Sequence, residues 1–385
     1  MPTIDMHRDI RDAVAKLCEK FPGEYWRKLD EKRAYPAEFV NELTGQGYLS
    51  ALIPEEYGGI GLGLSAGTAI LEEIHRAGCN AGACHAQMYT MGTLLRHGND
   101  AQKQQYLPGI ADGSLRLQAF GVTEPGSGTN TPAIKTFARR DGDRYIVNGQ
   151  KIWTSRAEYS DLMILLARTT PIGEVKKKTD GLSVFILDMN AAEKAGLRIS
   201  PIRTMMNHSS CEVFFDDVAI PAENLIGEEG RGFRYIMSGM NAERILIASE
   251  CIGDAKWFID KASSYAGERE VFGRPIGQNQ GVAFPIAQAY ARMRAAELMV
   301  HEAVGLYEAG ETPGAEANMA KMLAAEASWE AAEAAVQTFG GFGFAEEYDI
   351  ERKFRETRLY QVAPISTNLV LSYIAEHVLG MPRSY

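Results

Sequence analysis

The chain has 385 residues, more than a single hydrophobic core serves, so two or three domains are expected. With 45% hydrophobic and 23% charged residues it reads as a soluble globular protein, and a formal net charge of −10 argues against a general nucleic-acid or anionic-membrane binder. The 5 cysteines are scattered without a C-x-x-C pair and the 7 histidines form no H-E-x-x-H cluster, which disfavours zinc, thioredoxin-type and other metal chemistry.

Residues 1 to about 115 read as helical. Ile10, Val14 and Leu17 stand at helical spacing between Asp5 and Phe21, and Pro22-Gly23 ends that run. Pro36 opens another helix that closes near Gly45 and Gly47. A glycine-rich connection over 53–65 leads to helices over 66–77 and 83–97 and a short one after Asn99. The N-terminus shows no signal-peptide core and no run of about 18 apolar residues occurs, so a cytoplasmic protein without a membrane span is expected.

From Leu117 to Ile226 the pattern becomes strand-like. Asp141-Gly142 and Asn148-Gly149 read as hairpin-turn dipeptides. Segments 161–168 and 181–189 have the length and apolarity of buried strands, 211–221 closes the block, and the lysine-rich 174–180 reads as a solvated loop. From Gly227 onward the chain is helical again. Ile245, Ala248, Ile252, Ala255, Ile259 and Ala262 form one apolar face, and long helices fit 287–309 and 315–338, the latter stopped by Gly340-Gly341. Helices, then strands, then helices imply an α+β multidomain protein with segregated domains.

Four motifs have chemical potential, and each alone has an ordinary structural reading. In AFGVTEPGSGTNT (119–131), Gly126 and Gly128 permit close backbone approach and the hydroxyls and amides suit a phosphate, yet many loops share this composition. GQKIWTS (149–155) puts a Trp beside hydroxyls. EREVFGRPIGQNQ (268–280) offers Arg269 near a helix end, and QTFGGFGFAEE (337–347) reads equally as a helix cap. Near the C-terminus RLYQVAPISTNLVL (358–371) is a helix–break–helix corner, with Pro364 at the break and Ser366 or Thr367 as N-cap.

In their order and spacing these motifs, with PEEYGG (54–59), AERILIA (242–248) and RLYQ (358–361), resemble the acyl-CoA dehydrogenase family along the whole chain. The resemblance implies an N-terminal helical domain (1–116), a middle β-barrel or sandwich domain (117–226) and a C-terminal four-helix-bundle domain (227–385). It implies non-covalent FAD, an acyl-CoA substrate, transfer of electrons to an electron-transfer flavoprotein, and a homotetramer. Phe120, Val122, Thr123, Gly128 and Thr129 would line the isoalloxazine and pyrophosphate, and Trp153, Thr154 and Ser155 would sit against the flavin. Arg269, Phe272, Gln280, Gln337, Gly340 and Gly341 would reach the FAD of a neighbouring subunit, and Ser366, Thr367 and Asn368 the nucleotide part. Asn130 stands where the family pattern usually has Asp.

The reaction implied is α,β-dehydrogenation of a short, branched or medium-chain thioester. It needs a carboxylate tuned toward neutral pH and donors for the developing enolate oxygen. In much of the family the base lies in the corner, four residues after the Tyr; here that position is Pro364, which has neither carboxylate nor N–H. The isovaleryl-CoA and long-chain dehydrogenases carry their base as a Glu before an Arg on the first long helix of the C-terminal domain, matched here by Glu243-Arg244. Glu243 is therefore the expected base, with Met240 and Ile247 one turn away to desolvate it. Thr129, Asn241 and Arg244 are expected substrate contacts, and Arg234 is either a cation at the pocket mouth for a polar acyl group or, as is more ordinary, a solvent-facing arginine. An acyl-CoA oxidase, a thioester-eliminating homologue, or a non-catalytic flavin-binding protein on the same fold are the competing readings.

Overall fold

The computed structural model describes residues 7–383. They fall into two compact units, each built from separate stretches of chain. One takes the chain up to Lys32, then Gly63–Ala81, then everything from Asn241 onward; the other takes Arg33–Leu62 and Gly82–Met240.

In chain order, α1 (Arg8–Cys18) and α2 (Gly23–Lys32) belong to the first unit, α3 (Ala37–Gly45) to the second, α4 (Leu64–Arg76) to the first, and α5 (Gly82–His97) and α6 (Asp100–Asp112) to the second. The expected start of the first helix at Asp5 lies outside the described residues. Pro22-Gly23 ends α1's run as expected, but Gly23 also opens α2, which the sequence reading passed over. The start of α6 is fixed by a reciprocal cap: Asn99 Oδ1 accepts from Gln102 N at 2.8 Å and Gln102 Oε1 from Asn99 N at 3.1 Å.

The sheet unit carries β1 (Leu117–Gly121), β2 (Phe137–Asp141), β3 (Arg144–Ser155), β4 (Leu162–Arg168), β5 (Leu182–Asp188), the short α7 (Met189–Glu193), β6 (Leu197–Pro201), β7 (Ser210–Pro221) and β8 (Leu225–Ile226). The strands form one mixed sheet in the order β6-β7-β3-β2-β4-β5-β8. β1 runs parallel to the first half of β4, and β2 meets the end of β4, also in parallel. Tyr145, Val147, Phe185, Val213 and Ile220 are at the centre of its core.

Asp141-Gly142 turns the β2–β3 hairpin as expected, but Asn148-Gly149 does not turn the chain. β3 continues through it to Ser155, and the pair forms a bulge against β7, where the register shifts between Val147 and Gly149. Gly149 has φ 148, and a Cβ there would meet Thr136 Cα at 2.6 Å, so glycine is required by the close approach of the neighbouring strand.

The chain leaves the sheet unit along α8 (Gly232–Glu268), which passes from one unit to the other at Met240. The small hairpin of β9 (Glu270–Val271) and β10 (Arg274–Pro275) follows, then α9 (Gln280–Glu308), α10 (Gly314–Phe339), α11 (Ile350–Thr357) and α12 (Thr367–Tyr373). The predicted face of α8, from Ile245 to Ala262, is buried. At Gly253 a Cβ would lie 2.2 Å from Glu72 O, so α4 and α8 approach at near-backbone contact. No helix among the described residues is long and apolar enough to cross a membrane, and none of them groups three or more metal-ligating side chains.

Candidate active site

In the sheet unit the TEPGSG loop is held from beneath. Glu124 is buried and accepts from the amides of Lys135 at 2.6 Å and Thr136 at 2.9 Å and from Lys151 Nζ at 2.9 Å. Lys151 also donates to Val122 O at 3.0 Å, and Thr123 O accepts from Ile152 N at 2.9 Å. Burial lowers the Lys151 amine to about 8 against the pull of Glu124, whose own carboxyl falls below its ordinary value: burial would raise it, but Lys151 together with the hydrogen bonds from Thr136 and Lys135 outweighs that. Glu124 and Lys151 therefore fix the loop, while Thr123 is half-buried and Gly128 and Thr129 are exposed. Asn130 makes no side-chain cap where the family's Asp would stand.

A second register shift, between Lys151 and Thr154, turns Trp153 outward with φ 60. Its indole is 56% exposed, unusual for so large an apolar surface, while Thr154 Oγ1 is buried without a hydrogen-bond partner among the described residues. A Cβ on Gly126 would meet nothing within 4 Å, and one on Gly128 only Thr123 Cγ2 at 3.9 Å. An exposed aromatic plane beside open backbone and hydroxyls fits a flat, phosphate-bearing group such as FAD.

In the helical unit, Glu243 and Arg244 are both buried, 5% and 7% exposed, whereas a Glu-Arg pair on a helix ordinarily faces water. Arg244 Nη1 donates to Asn241 Oδ1 at 3.1 Å. Burial lowers the guanidinium's pKa, and the neighbouring Glu243 charge opposes that shift. Ile247, one turn on, is buried too. Arg234, in the sheet unit, is exposed.

The corner is shaped by a lysine. Lys321 Nζ, on α10, donates to Tyr360 O at 2.7 Å and Ile365 O at 3.0 Å, bracketing Pro364, whose peptide bond to Ala363 is cis. Ser366 caps α12, its hydroxyl accepting from Leu369 N at 3.4 Å, so the ordinary reading of the corner holds locally. Pro364 and Asn368 are exposed, and Thr367 is half-buried.

Beneath the corner lies a buried network that sequence reasoning missed. Tyr360 Oη donates to Glu250 Oε2 at 2.8 Å, and burial followed by the Glu250 charge drives the phenol well above its ordinary value. His75 Nε2 accepts from Ala81 N at 3.1 Å, so Nδ1 carries the proton and donates to Asp254 Oδ1 at 2.8 Å. Lys353 pairs with Asp254 and donates to Cys79 O at 3.1 Å. The signal available was the spacing: Glu243, Glu250 and Asp254 fall seven and four residues apart on an alanine-rich helix, placing carboxylates on or beside one helix face.

A third cluster surrounds the β9–β10 hairpin. Arg269, Thr338 and Gly341 line one open groove walled by Tyr265, Phe339 and Phe342. Gly340, at φ 58, and Gly341 have nothing within 4 Å of a built Cβ. Phe272 stands fully exposed at the hairpin tip, and Gln280 and Gln337 are exposed. Of the expected set, Arg269 and Gly341 thus share one groove in the helical unit, whereas Phe120 to Thr129 and Trp153 to Ser155 cluster in the sheet unit.

Models of the acyl-CoA dehydrogenase N-terminal, middle and C-terminal domains match residues 5–114, 119–218 and 230–379. The chain is 36% identical to acyl-CoA dehydrogenase fadE12 of Mycobacterium bovis, covering 98% of this chain and 96% of the relative. It is 30% identical to the short-chain specific acyl-CoA dehydrogenase of rat mitochondria, over 99% and 92%. The solved structure of butyryl-CoA dehydrogenase from Megasphaera elsdenii matches with a TM-score of 0.91 at 28% identity, over 98% and 99%. The chain belongs to the acyl-CoA dehydrogenase family. It has that family's fold of helical, mixed-sheet and helical domains, and it is an FAD-dependent oxidoreductase acting on acyl-CoA.

Proposed function

We propose that this enzyme removes the α-proton and β-hydrogen of a short, branched or medium-chain acyl-CoA, with Glu243 as the base. The observation that carries this reading is a buried Glu243-Arg244 pair on α8 in a chain whose corner holds Pro364. Glu243 takes the α-proton; when bound, FAD supplies the acceptor for the β-hydride. Arg244, Asn241, Thr129 and Arg234 bind the substrate, Arg244 and Asn241 from the CoA side. Thr123, Thr129, Trp153 and Ser155 hold the flavin side of FAD, with Phe120, Val122, Gly128 and Thr154 lining it. Arg269, Phe272, Gln280, Gln337, Gly340 and Gly341 reach the FAD of a neighbouring copy, and Ser366, Thr367 and Asn368 its nucleotide. The names of the rat and Megasphaera relatives favour short chains.

The same reading includes electron-transfer flavoprotein as acceptor, a homotetramer, a cytoplasmic location and domain limits at 1–116, 117–226 and 227–385. The fully exposed Phe272 and the exposed Phe284, Tyr290 and Leu298 of α9 support association with further copies. Pro364, lacking an N–H for the enolate oxygen, favours one second reading, an oxidase or eliminating homologue. Mixing the FAD-loaded protein with a panel of acyl-CoAs without oxygen tests the proposal. Bleaching with saturated thioesters, reversed by electron-transfer flavoprotein, is the expected result. Rapid hydrogen peroxide formation in air identifies the oxidase, and no bleaching with any thioester removes the dehydrogenase reading.

A further inference from the structure

The buried charge at the root of the TEPGSG loop does more than hold the loop in place. None of the Lys151 side chain is exposed. Its ammonium has two acceptors of different kinds, Glu124 Oε1 at 2.9 Å and the main-chain oxygen of Val122 at 3.0 Å. Glu124 has other donors as well: the Thr136 amide on Oε1 and the Lys135 amide on Oε2. Arg168 of β4 also feels the Glu124 charge. The carboxylate's charge is thus shared, and part of the ammonium's charge is left to act on Val122 O. Burial lowers the amine to about 8, so it keeps its proton at neutral pH.

The Val122–Thr123 peptide is trans, and in a trans peptide the C=O and N–H point in opposite directions. With its oxygen drawn toward Lys151, the N–H of the same unit, on Thr123, points away from the buried amine. The peptides that follow are tied down: Thr123 O accepts from Ile152 N at 2.9 Å, and Glu124 N donates to Ser127 O at 3.4 Å. Thr123 N has no hydrogen-bond partner among the described residues, although Val122 and Thr123 are both half-buried. A cation bonded to a carbonyl oxygen polarises the peptide and makes its N–H a stronger donor. β3 therefore carries a buried cation and, two residues on, the exposed indole of Trp153.

We propose that Lys151 is a positioning residue for the flavin, presenting the Thr123 N–H as a strengthened donor that favours the reduced ring. The proposal rests on the reading that puts Val122 and Thr123 beside the isoalloxazine. A hydride from the β-carbon brings the ring two electrons and one proton, leaving it one unit more negative. A donor backed by a cation therefore binds the reduced form more tightly than the oxidised one.

The test measures the two-electron midpoint potential of the FAD-loaded protein against reference dyes, with no acyl-CoA present. Wild type is compared with Lys151→Met and with the double variant Lys151→Met/Glu124→Gln. The double variant leaves neither partner of the pair charged and keeps an acceptor for the loop amides, so it decides the matter if Lys151→Met fails to fold. Each variant should favour the oxidised flavin about 10-fold more than wild type does. That is the scale of one charge-assisted hydrogen bond, and it lowers the potential by about 30 mV. A lysine that only braced the loop would, when lost, weaken the binding of both redox forms equally and leave the potential where it was. A potential that rises overturns the proposal. So does one that stays put while the flavin spectrum changes or FAD binding weakens. A potential, spectrum and affinity that all stay at wild-type values overturn the placement of Val122 and Thr123 as well. Because no thioester is present, none of these outcomes depends on which residue is the base.

Discussion

The helical unit and the sheet unit treat buried charge differently. Under the corner, Asp254 is met by His75 and Lys353, Glu250 by Tyr360, and Glu72 by Lys256 at 2.6 Å and Arg11 at 3.0 Å. These partners come from α1, α4, α8, α11 and the 3-10 turn Arg358–Gln361 that follows α11, so the network joins elements that are far apart in the chain. At the rim of the sheet unit only the root is locked, by Lys151 and Glu124; the parts that protrude, Trp153, Gly128 and Thr129, stay exposed. The proposed base, Glu243, would need one desolvated geometry, and it stands on the same helix as the paired carboxylates Glu250 and Asp254. A surface that receives a cofactor needs open backbone and aromatic area on a fixed base.

The contrast between the two units is sharpest at Asp254. Lys353→Met leaves the fully buried Asp254 without its cation and should destabilise the protein by about 3–5 kcal/mol, read from the melting temperature. The double variant with Asp254→Leu should recover much of that loss; no recovery would mean that the network acts through packing. Removing a cation that holds only backbone should cost less. Lys321→Met deprives two corner carbonyls of their donor and should cost about 2–4 kcal/mol, with FAD retention falling in parallel if the corner faces the nucleotide. In the open groove, Arg269→Ala should leave the melting temperature of the apoprotein almost unchanged but weaken FAD binding about 10–100-fold by fluorescence titration.

The network also sets a pH limit. Burial alone would raise Asp254 and Glu72 above their ordinary 3.8 and 4.5, but Lys353 and His75 beside Asp254, and Lys256 and Arg11 beside Glu72, outweigh it and both are lowered. Each contributes stability in full above those ordinary values and loses it as pH falls through its lower folded value. The melting temperature should therefore drop on acidification below about pH 4.5, and Glu72→Gln should flatten that acid limb. The smallest effect belongs to the corner's cap: Ser366→Ala should cost about 0.5–1 kcal/mol and shift the melting temperature only slightly.

Local patterns were legible in the sequence, and distant pairings were not. The α8 stripe from Ile245 to Ala262 could be read because helical period alone dictates it. Asn148-Gly149 was misread because the dipeptide speaks for a local turn, while the long pairing of β3 with β7 demanded a bulge. Glu243 stood out only by resemblance, since a Glu-Arg pair in a helix ordinarily faces water. His75 and Asp254 are 179 residues apart, and nothing local announces that two such groups will meet in the core.

Glu243 as the base is tested most directly by stopped-flow reduction of FAD-loaded Glu243→Gln by a saturated acyl-CoA. The glutamine keeps the shape of the side chain and removes its proton affinity. Flavin bleaching should slow by at least about 10³-fold while FAD content and thioester binding stay near wild type. Bleaching at close to the wild-type rate would contradict the assignment and place the base elsewhere.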